Sequence, residues 1–362
     1  MSQLGLGMAP DDSATGTGRR RRSSRAPLVV ALVAIAAVVL GGFFGIKALT
    51  GGTDDYAGDG SGTVTVVVAK GDTLRKIGQT LADAGVVATE GAFVDAAEAD
   101  PRANHIAPGT YQLRTGMSGA SAVALMLDPA ARQVSKLVVP EGWRMDKTLA
   151  AAAKATGLSL DSLKASAAKA GSLGLPDYAE GNPEGFLFPA TYEFAPKVSS
   201  DAVVEAMLTR FGQASADLDL ESSAAAAKLT PLEVITVASL IELEVAPADY
   251  ARAARVIYNR LDKGMRLQLD STVNYALGTS DLKLSAQQLA TDSPYNTYRV
   301  KGLPPGPIGS PGEAAIQAAL APADGPWMYW VTTDPATRTT EFATSYADFL
   351  ALKKKFQANA GG

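Results

Sequence analysis

Pro231-Leu-Glu-Val-Ile-Thr-Val-Ala-Ser-Leu-Ile-Glu-Leu-Glu-Val245 is a long apolar run that ends with two glutamates, Glu242 and Glu244. Pro231 suits the first turn of a helix, with Thr230 as N-cap and Glu233 near the positive end of the dipole. The helix should run through Val245 and stop at Ala246-Pro247. It is apolar nearly all round, which implies burial on most sides. A carboxyl in such surroundings is costly unless it is paired or holds a proton. A protonated carboxyl in a cleft is a general acid. Residues two apart lie about 200° apart around a helix, so the pair cannot both face one cleft. Glu242 has the small Ala238, Ser239 and Ala246 three and four residues away, leaving room for a ligand. Glu244 has Leu240 and Ile241 behind it. Glu242 is therefore the candidate acid, kept protonated by an apolar setting. Glu244 is the structural support, paired with Arg252, Arg255 or Arg260. The competing reading makes both buried ion-pair partners.

Composition narrows the chemistry. The chain has 362 residues, no cysteine and a single histidine, His105, in a turn-like segment far upstream. Thiol nucleophiles, disulfides and cysteine-bound zinc or haem are excluded, and a Ser-His-Asp triad is disfavoured. Acid–base work falls to Asp, Glu, Lys or Tyr. There is no Gly-rich phosphate loop, so no cofactor or metal is expected. The net charge of −4 argues against nucleic acid as partner.

Residues 26–48 form an apolar run of a length that crosses a bilayer as one helix. Arg19, Arg20, Arg21, Arg22 and Arg25 precede it, which places the N-terminus in the cytoplasm and the bulk of the chain outside. A cleaved signal peptide is the rival, but the core is long and no clear Ala-x-Ala site follows. Residues 1–25 read as a disordered cytoplasmic tail and residues 49–62 as a flexible linker. The expected location is a single-pass cell membrane protein.

Downstream, a strand-turn-helix pattern occurs twice. Val64 to Val68 is strand-like, Lys70-Gly71-Asp72-Thr73 turns, and Leu74, Ile77, Leu81 and Ala84 recur at helical spacing. Leu137-Val-Val139, Pro140-Glu141-Gly142-Trp143 and Met145, Leu149, Ala152 repeat it. The first unit resembles a LysM-type glycan-binding module; the alternative is a purely structural domain. Residues 158–180 look helical. The expected class is α+β: a small LysM-like module over residues 63–135, then a catalytic domain over residues 136–357.

Residues 203–211 and 223–229 read as helices, and residues 250–263 as an amphipathic helix capped by Gly264. Residues 265–275 alternate and present Gln268, Asp270, Ser271, Thr272 and Asn274. Tyr295-Asn-Thr-Tyr298 follows, then the Pro-stiffened Gly302-Leu-Pro-Pro-Gly-Pro-Ile-Gly-Ser-Pro-Gly312. Tyr rings and amides beside a rigid loop suit a carbohydrate cleft.

These residues carry a resemblance. Ala238-Ser-Leu-Ile-Glu-Leu-Glu244, Asn259-Arg260-Leu261 with the segment from Gly264 to Asp270, Tyr295-Asn-Thr-Tyr298, Gly302-Leu-Pro-Pro-Gly306 and Glu184-Gly-Phe-Leu-Phe-Pro-Ala-Thr-Tyr192 resemble the endolytic murein transglycosylases of the MltG (YceG-like) family. The resemblance covers roughly residues 64–357. It implies cleavage of the β-1,4 bond after N-acetylmuramic acid in nascent peptidoglycan strands, leaving a 1,6-anhydro end. It places the catalytic glutamate on Glu242, and suggests wall-synthesis proteins as partners. Gln268, Asp270, Tyr295, Asn296 and Tyr298 are expected to bind or orient glycan. Two departures stand out: Ala190 where Asp is expected, and Leu243 in place of a charged residue. The alternatives are a non-catalytic wall-binding scaffold and a hydrolase with a second carboxylate such as Asp270.

Overall fold

A computed structural model of the chain describes residues 54–334, 336–337 and 339–359. The tail and the apolar run of residues 26–48 lie outside the described residues. The fold is mixed α and β, with two separate hydrophobic cores.

The first core is built on strand β1 (Asp59–Val68), helices α1 (Leu74–Asp83) and α2 (Glu90–Ala99), and strand β2 (Gly109–Met117). β1 and β2 pair antiparallel, and the two-residue β3 (Arg132–Gln133) adds to β2. Val66 and Val68 turn inward while Val67 faces out, the alternation a half-buried strand requires. Leu81, Phe93, Tyr111, Leu113 and Met117 fill the space between, with α3 (Gly119–Met126) closing one side. Thr73 caps α1, and Gly85 ends that turn at positive φ.

One boundary differs from expectation. Residues 59–62 belong to β1 and not to a flexible linker: Asp59 pairs with Met117 and Ser61 with Thr115. Asp55 reaches further back still, and both its carboxylate oxygens accept from the Gly119 amide at the start of α3, 3.0 Å each. A carboxylate there meets orphan N–H groups and the positive end of a helix dipole.

The second core begins with β4 (Ser135–Val139) and α4 (Met145–Thr156), the repeat of the strand-turn-helix pattern, and α5 (Leu160–Ala168). β4 pairs antiparallel with β5 (Ala190–Phe194), in a sheet separate from that of β1. The rest is helical: α6 (Ser200–Asp217), α7 (Leu220–Ala226), α8 (Pro231–Glu244), α9 (Tyr250–Asp262), α10 (Asp270–Leu277), the short α11 (Ala286–Leu289) and α12 (Glu313–Leu320). A hairpin, β6 (Tyr329–Asp334) with β7 (Thr339–Ala343), and α13 (Tyr346–Asn359) complete the chain. The alternation read in residues 265–275 does not make a strand. Residues 270–277 are helix α10, with Thr272 and Val273 inward. Residues 158–180 hold only α5 and two short 3-10 turns.

α8 is the centre of this core. Every residue from Val234 to Ile241 is buried, and α7, α9, α10 and α12 pack around it. Its start is the expected one: the Thr230 side chain accepts from the Glu233 amide, and Glu233 accepts in return from the Thr230 amide at 2.8 Å. Among the described residues no single helix is long and apolar enough to cross a membrane.

Candidate active site

The two glutamates leave the last turn of α8 in different directions, as their spacing requires. Each oxygen of Glu242 accepts one hydrogen bond. Tyr250 Oη donates to Oε1 at 2.5 Å, and the Gly312 amide donates to Oε2 at 3.1 Å. The apolar wall expected around Glu242 is therefore corrected: polar donors hold the carboxyl, and the residue is only half-buried. Glu244, also half-buried, turns toward the start of α10. Burial pushes its carboxyl above the ordinary carboxylate range, while hydrogen bonds from Ser271 pull it back. The Ser271 amide lies 3.4 Å from Glu244 Oε1.

The expected ion pair of Glu244 does not form with any of the three arginines. Arg252 pairs with Asp249. Arg255 donates to the Ala323 carbonyl, and Arg260 is buried with its guanidinium on the carbonyls of Met328 and Leu267. Each guanidinium meets backbone oxygens or a nearer carboxylate first.

Two segments border Glu242, and a third packs on them. The Pro-rich loop of residues 302–312 lies over α8, where Ser239 Oγ accepts from the Ile308 amide at 3.1 Å. The turn at residues 140–143 docks on that loop: the Gly142 amide donates to Ser310 O, and the Ser310 amide to Trp143 O. The segment at residues 182–188 packs on the same loop from another side. Gly185 sits at φ +90, and a Cβ there would overlap the Pro307 ring, so only glycine fits. At the loop's end, a side chain on Gly312 would overlap the Glu141 carboxyl. Glu141 thus stands beside the residue whose amide holds Glu242. Burial, and then the charges of Glu242 and Glu313, push the Glu141 carboxyl up.

A second carboxyl lies at the neighbouring wall. Glu184 is only 4 % exposed. Its Oε1 accepts from the Met145 amide at 2.9 Å, and its Oε2 from Tyr275 Oη at 3.4 Å. Burial, aided by the charge of Asp146, pushes it up to about 7 against the pull of Met145, Tyr275 and Arg144. The Tyr275 ring meets that of Tyr295 at 4.7 Å, with the Arg144 guanidinium 5.4 Å from the Tyr275 centroid.

The residues expected to bind glycan separate into two groups. Tyr295 is half-buried on the Tyr275 ring and belongs to this wall. Gln268 is exposed, held at φ +52 by its amide's bond to Thr297 O. Asp270 accepts from Tyr298 Oη at 2.6 Å, so the two occupy each other. Asn296 is a correction. It is fully buried, its amide donates to the Leu289 and Thr291 carbonyls, and its oxygen accepts from the Tyr298 amide. An amide buried among loop carbonyls folds the loop and has nothing left to offer a sugar. Sequence reading missed Tyr250, Glu141, Glu184, Tyr275 and the Gly312 amide. Tyr250 is eight residues from Glu242 across a helix break, and the others come from distant segments.

Fold and site define a mixed α and β protein with a helix-borne carboxyl held by a tyrosine hydroxyl and a loop amide, and a tyrosine pair on a neighbouring segment. Residues 66–355 match the model of the YceG-like family. The chain is 31 % identical over 289 residues to an endolytic murein transglycosylase from Bacillus subtilis, covering 75 % of this chain and 79 % of that one. It is 29 % identical over 332 residues to one from Streptococcus pneumoniae, covering 83 % of this chain and 60 % of that longer relative. The crystal structure of a YceG-like protein from Listeria monocytogenes superimposes with a TM-score of 0.55 at 30 % identity, over 80 % of this chain and 99 % of that one. The chain belongs to the YceG-like family.

Proposed function

We infer that the chain is a lytic transglycosylase, a lyase that cuts peptidoglycan glycan strands internally. The observation that carries this reading is Glu242, half-buried at the end of α8 with Tyr250 Oη and the Gly312 amide on its two oxygens, in a chain similar to endolytic murein transglycosylases.

The bond cut is the β-1,4 link between N-acetylmuramic acid and N-acetylglucosamine. Glu242 donates its proton to the glycosidic oxygen as the C–O bond breaks, and the departing sugar leaves with a free hydroxyl. The muramic C6 hydroxyl attacks the oxocarbenium-like C1 and returns its proton to Glu242. The product carries a 1,6-anhydro end, no water is consumed, and one carboxyl serves as acid and then as base. The Gly312 amide and Tyr250 hydroxyl fix that carboxyl in place and stabilise its ionised form between the two proton transfers. Tyr295, Gln268 and the Asp270–Tyr298 pair lie on the glycan path.

The finer organisation belongs to the same proposal. Residues 26–48 anchor the chain in the cell membrane with the catalytic domain outside, where it meets nascent strands and wall-synthesis proteins and ends strand elongation. Residues 59–135, four residues longer at the start than the sequence suggests, form the LysM-like glycan-binding module and residues 136–357 the catalytic domain; the strand, two helices and antiparallel strand of the first core support that division.

The test is Glu242→Gln in the full chain, with isolated glycan strands and mass analysis of the products. Wild type should release anhydro ends, one water lighter than hydrolytic ends. The variant should lose at least about a hundredfold in rate, as expected of a general acid. Anhydro ends at the wild-type rate from the variant would remove Glu242 from the mechanism.

A further inference from the structure

Glu184 is a buried carboxyl that the cleavage steps do not use. It and its neighbour Gly185 join three segments, α4, α10 and the Pro-rich loop. Its Oε1 accepts from the Met145 amide, the first of α4, where the N-cap residue Arg144 provides no side-chain cap. That bond ties α4 to the segment of residues 182–188 and does the work of a missing cap. Its Oε2 accepts from Tyr275 Oη, the polar tip of the ring against Tyr295. The next residue, Gly185, packs without a side chain on Pro307 of the loop that delivers Gly312 to Glu242. The Tyr295 hydroxyl in turn borders Gly306 of that loop.

We propose that Glu184 is a positioning residue for glycan binding: its carboxyl fixes the Tyr275–Tyr295 ring pair as a platform for a sugar face. The inference rests on the transglycosylase reading above. A half-buried aromatic pair binds a sugar ring only if its tilt is held, and Tyr275 has one polar atom by which to hold it. Arg144, 5.4 Å from the Tyr275 centroid, with a guanidinium nitrogen on the Thr279 carbonyl, braces the far side. Glu184 acts through Tyr275 and touches no reacting atom, so its removal should weaken binding and leave the chemical step intact.

The experiment uses the full chain and uncross-linked glycan strands. Glu184→Ala should raise KM up to about tenfold, the weight of one hydrogen bond, with kcat within about twofold. Glu184→Gln keeps an acceptor for Met145 and a partner for Tyr275, and should restore KM to near the wild-type value. Tyr275→Phe removes only the hydroxyl and should raise KM alone, which keeps the test open if Glu184→Ala does not fold. Combined with Glu184→Ala its effect on KM should be less than additive, because both changes cut the Glu184–Tyr275 link, while Glu184→Ala also frees the Met145 amide and Tyr275→Phe also frees the Tyr295 hydroxyl. Unchanged KM in Tyr275→Phe, fully additive effects, or a kcat loss that Gln does not rescue would overturn the proposal. Glycan binding read in the Glu242→Gln chain separates the two readings. If that variant still cleaves, the transglycosylase assignment of Glu242 fails. If it is inactive while Glu184→Ala and Tyr275→Phe bind glycan like their parent, only the present inference fails.

Discussion

Tyr250 Oη, 2.5 Å from Glu242 Oε1, makes the acid's environment a matter of donors rather than of apolar walls. Tyr250→Phe removes one of two donors from a group that must be ionised halfway through the reaction. The rate should fall about tenfold or more with little change in KM, read from steady-state cleavage of glycan strands. Glu184 gives a prediction of a different kind. Its ordinary value is 4.5, and burial carries it to about 7 in the fold. Between those values the folded chain keeps a proton that the unfolded chain has released. Its contribution to stability is therefore present below about 4.5 and lost as pH rises through about 7. A shift of that size corresponds to at most about 3 kcal/mol. Urea unfolding of wild type and Glu184→Gln at pH 5 and pH 8 should show wild type losing ground to the variant by that order. A constant gap would mean that Glu184 ionises alike in both states.

Elements place these residues, and here the sequence was readable in part. The capped, apolar α8 could be read closely, because its cap, its proline and its all-round hydrophobicity are local signals. Thr230→Ala should cost about 1 kcal/mol in chemical denaturation by removing that cap. The spacing of Glu242 and Glu244 correctly placed them on different faces. Their partners were not legible, since Gly312 and Ser271 reach them from segments 70 and 27 residues away. Asn296 shows the opposite failure. Its motif suggested a ligand, but a short loop that must satisfy its own carbonyls claims the amide first. Residues 265–275 alternate like a strand, yet Leu267, Leu269 and Val273 are buried by a turn followed by a helix. Periodicity over so few residues does not separate the two forms.

At the scale of the molecule, two cores stand apart in sequence as well as in space: residues 66–131 supply one and residues 137–319 the other. Each was foreshadowed by a strand-turn-helix unit, but their placement in different sheets was not, because strand partners are chosen by distant segments. Separate cores should respond separately. Phe93→Ala, at a fully buried position, should cost about 3–5 kcal/mol. Hydrogen exchange should then quicken across residues 59–131 while α8 and its neighbours stay protected. Equal loss of protection in both cores would show them to be one cooperative unit.

The early start of β1 and the grip of Asp55 on α3 also set a leash. If the membrane helix ends at residue 48, as proposed, five residues separate it from Asp54, whose carbonyl accepts from the Thr89 hydroxyl. Fully extended they reach only about 17 Å. The first core would then ride within its own width of the lipid headgroups.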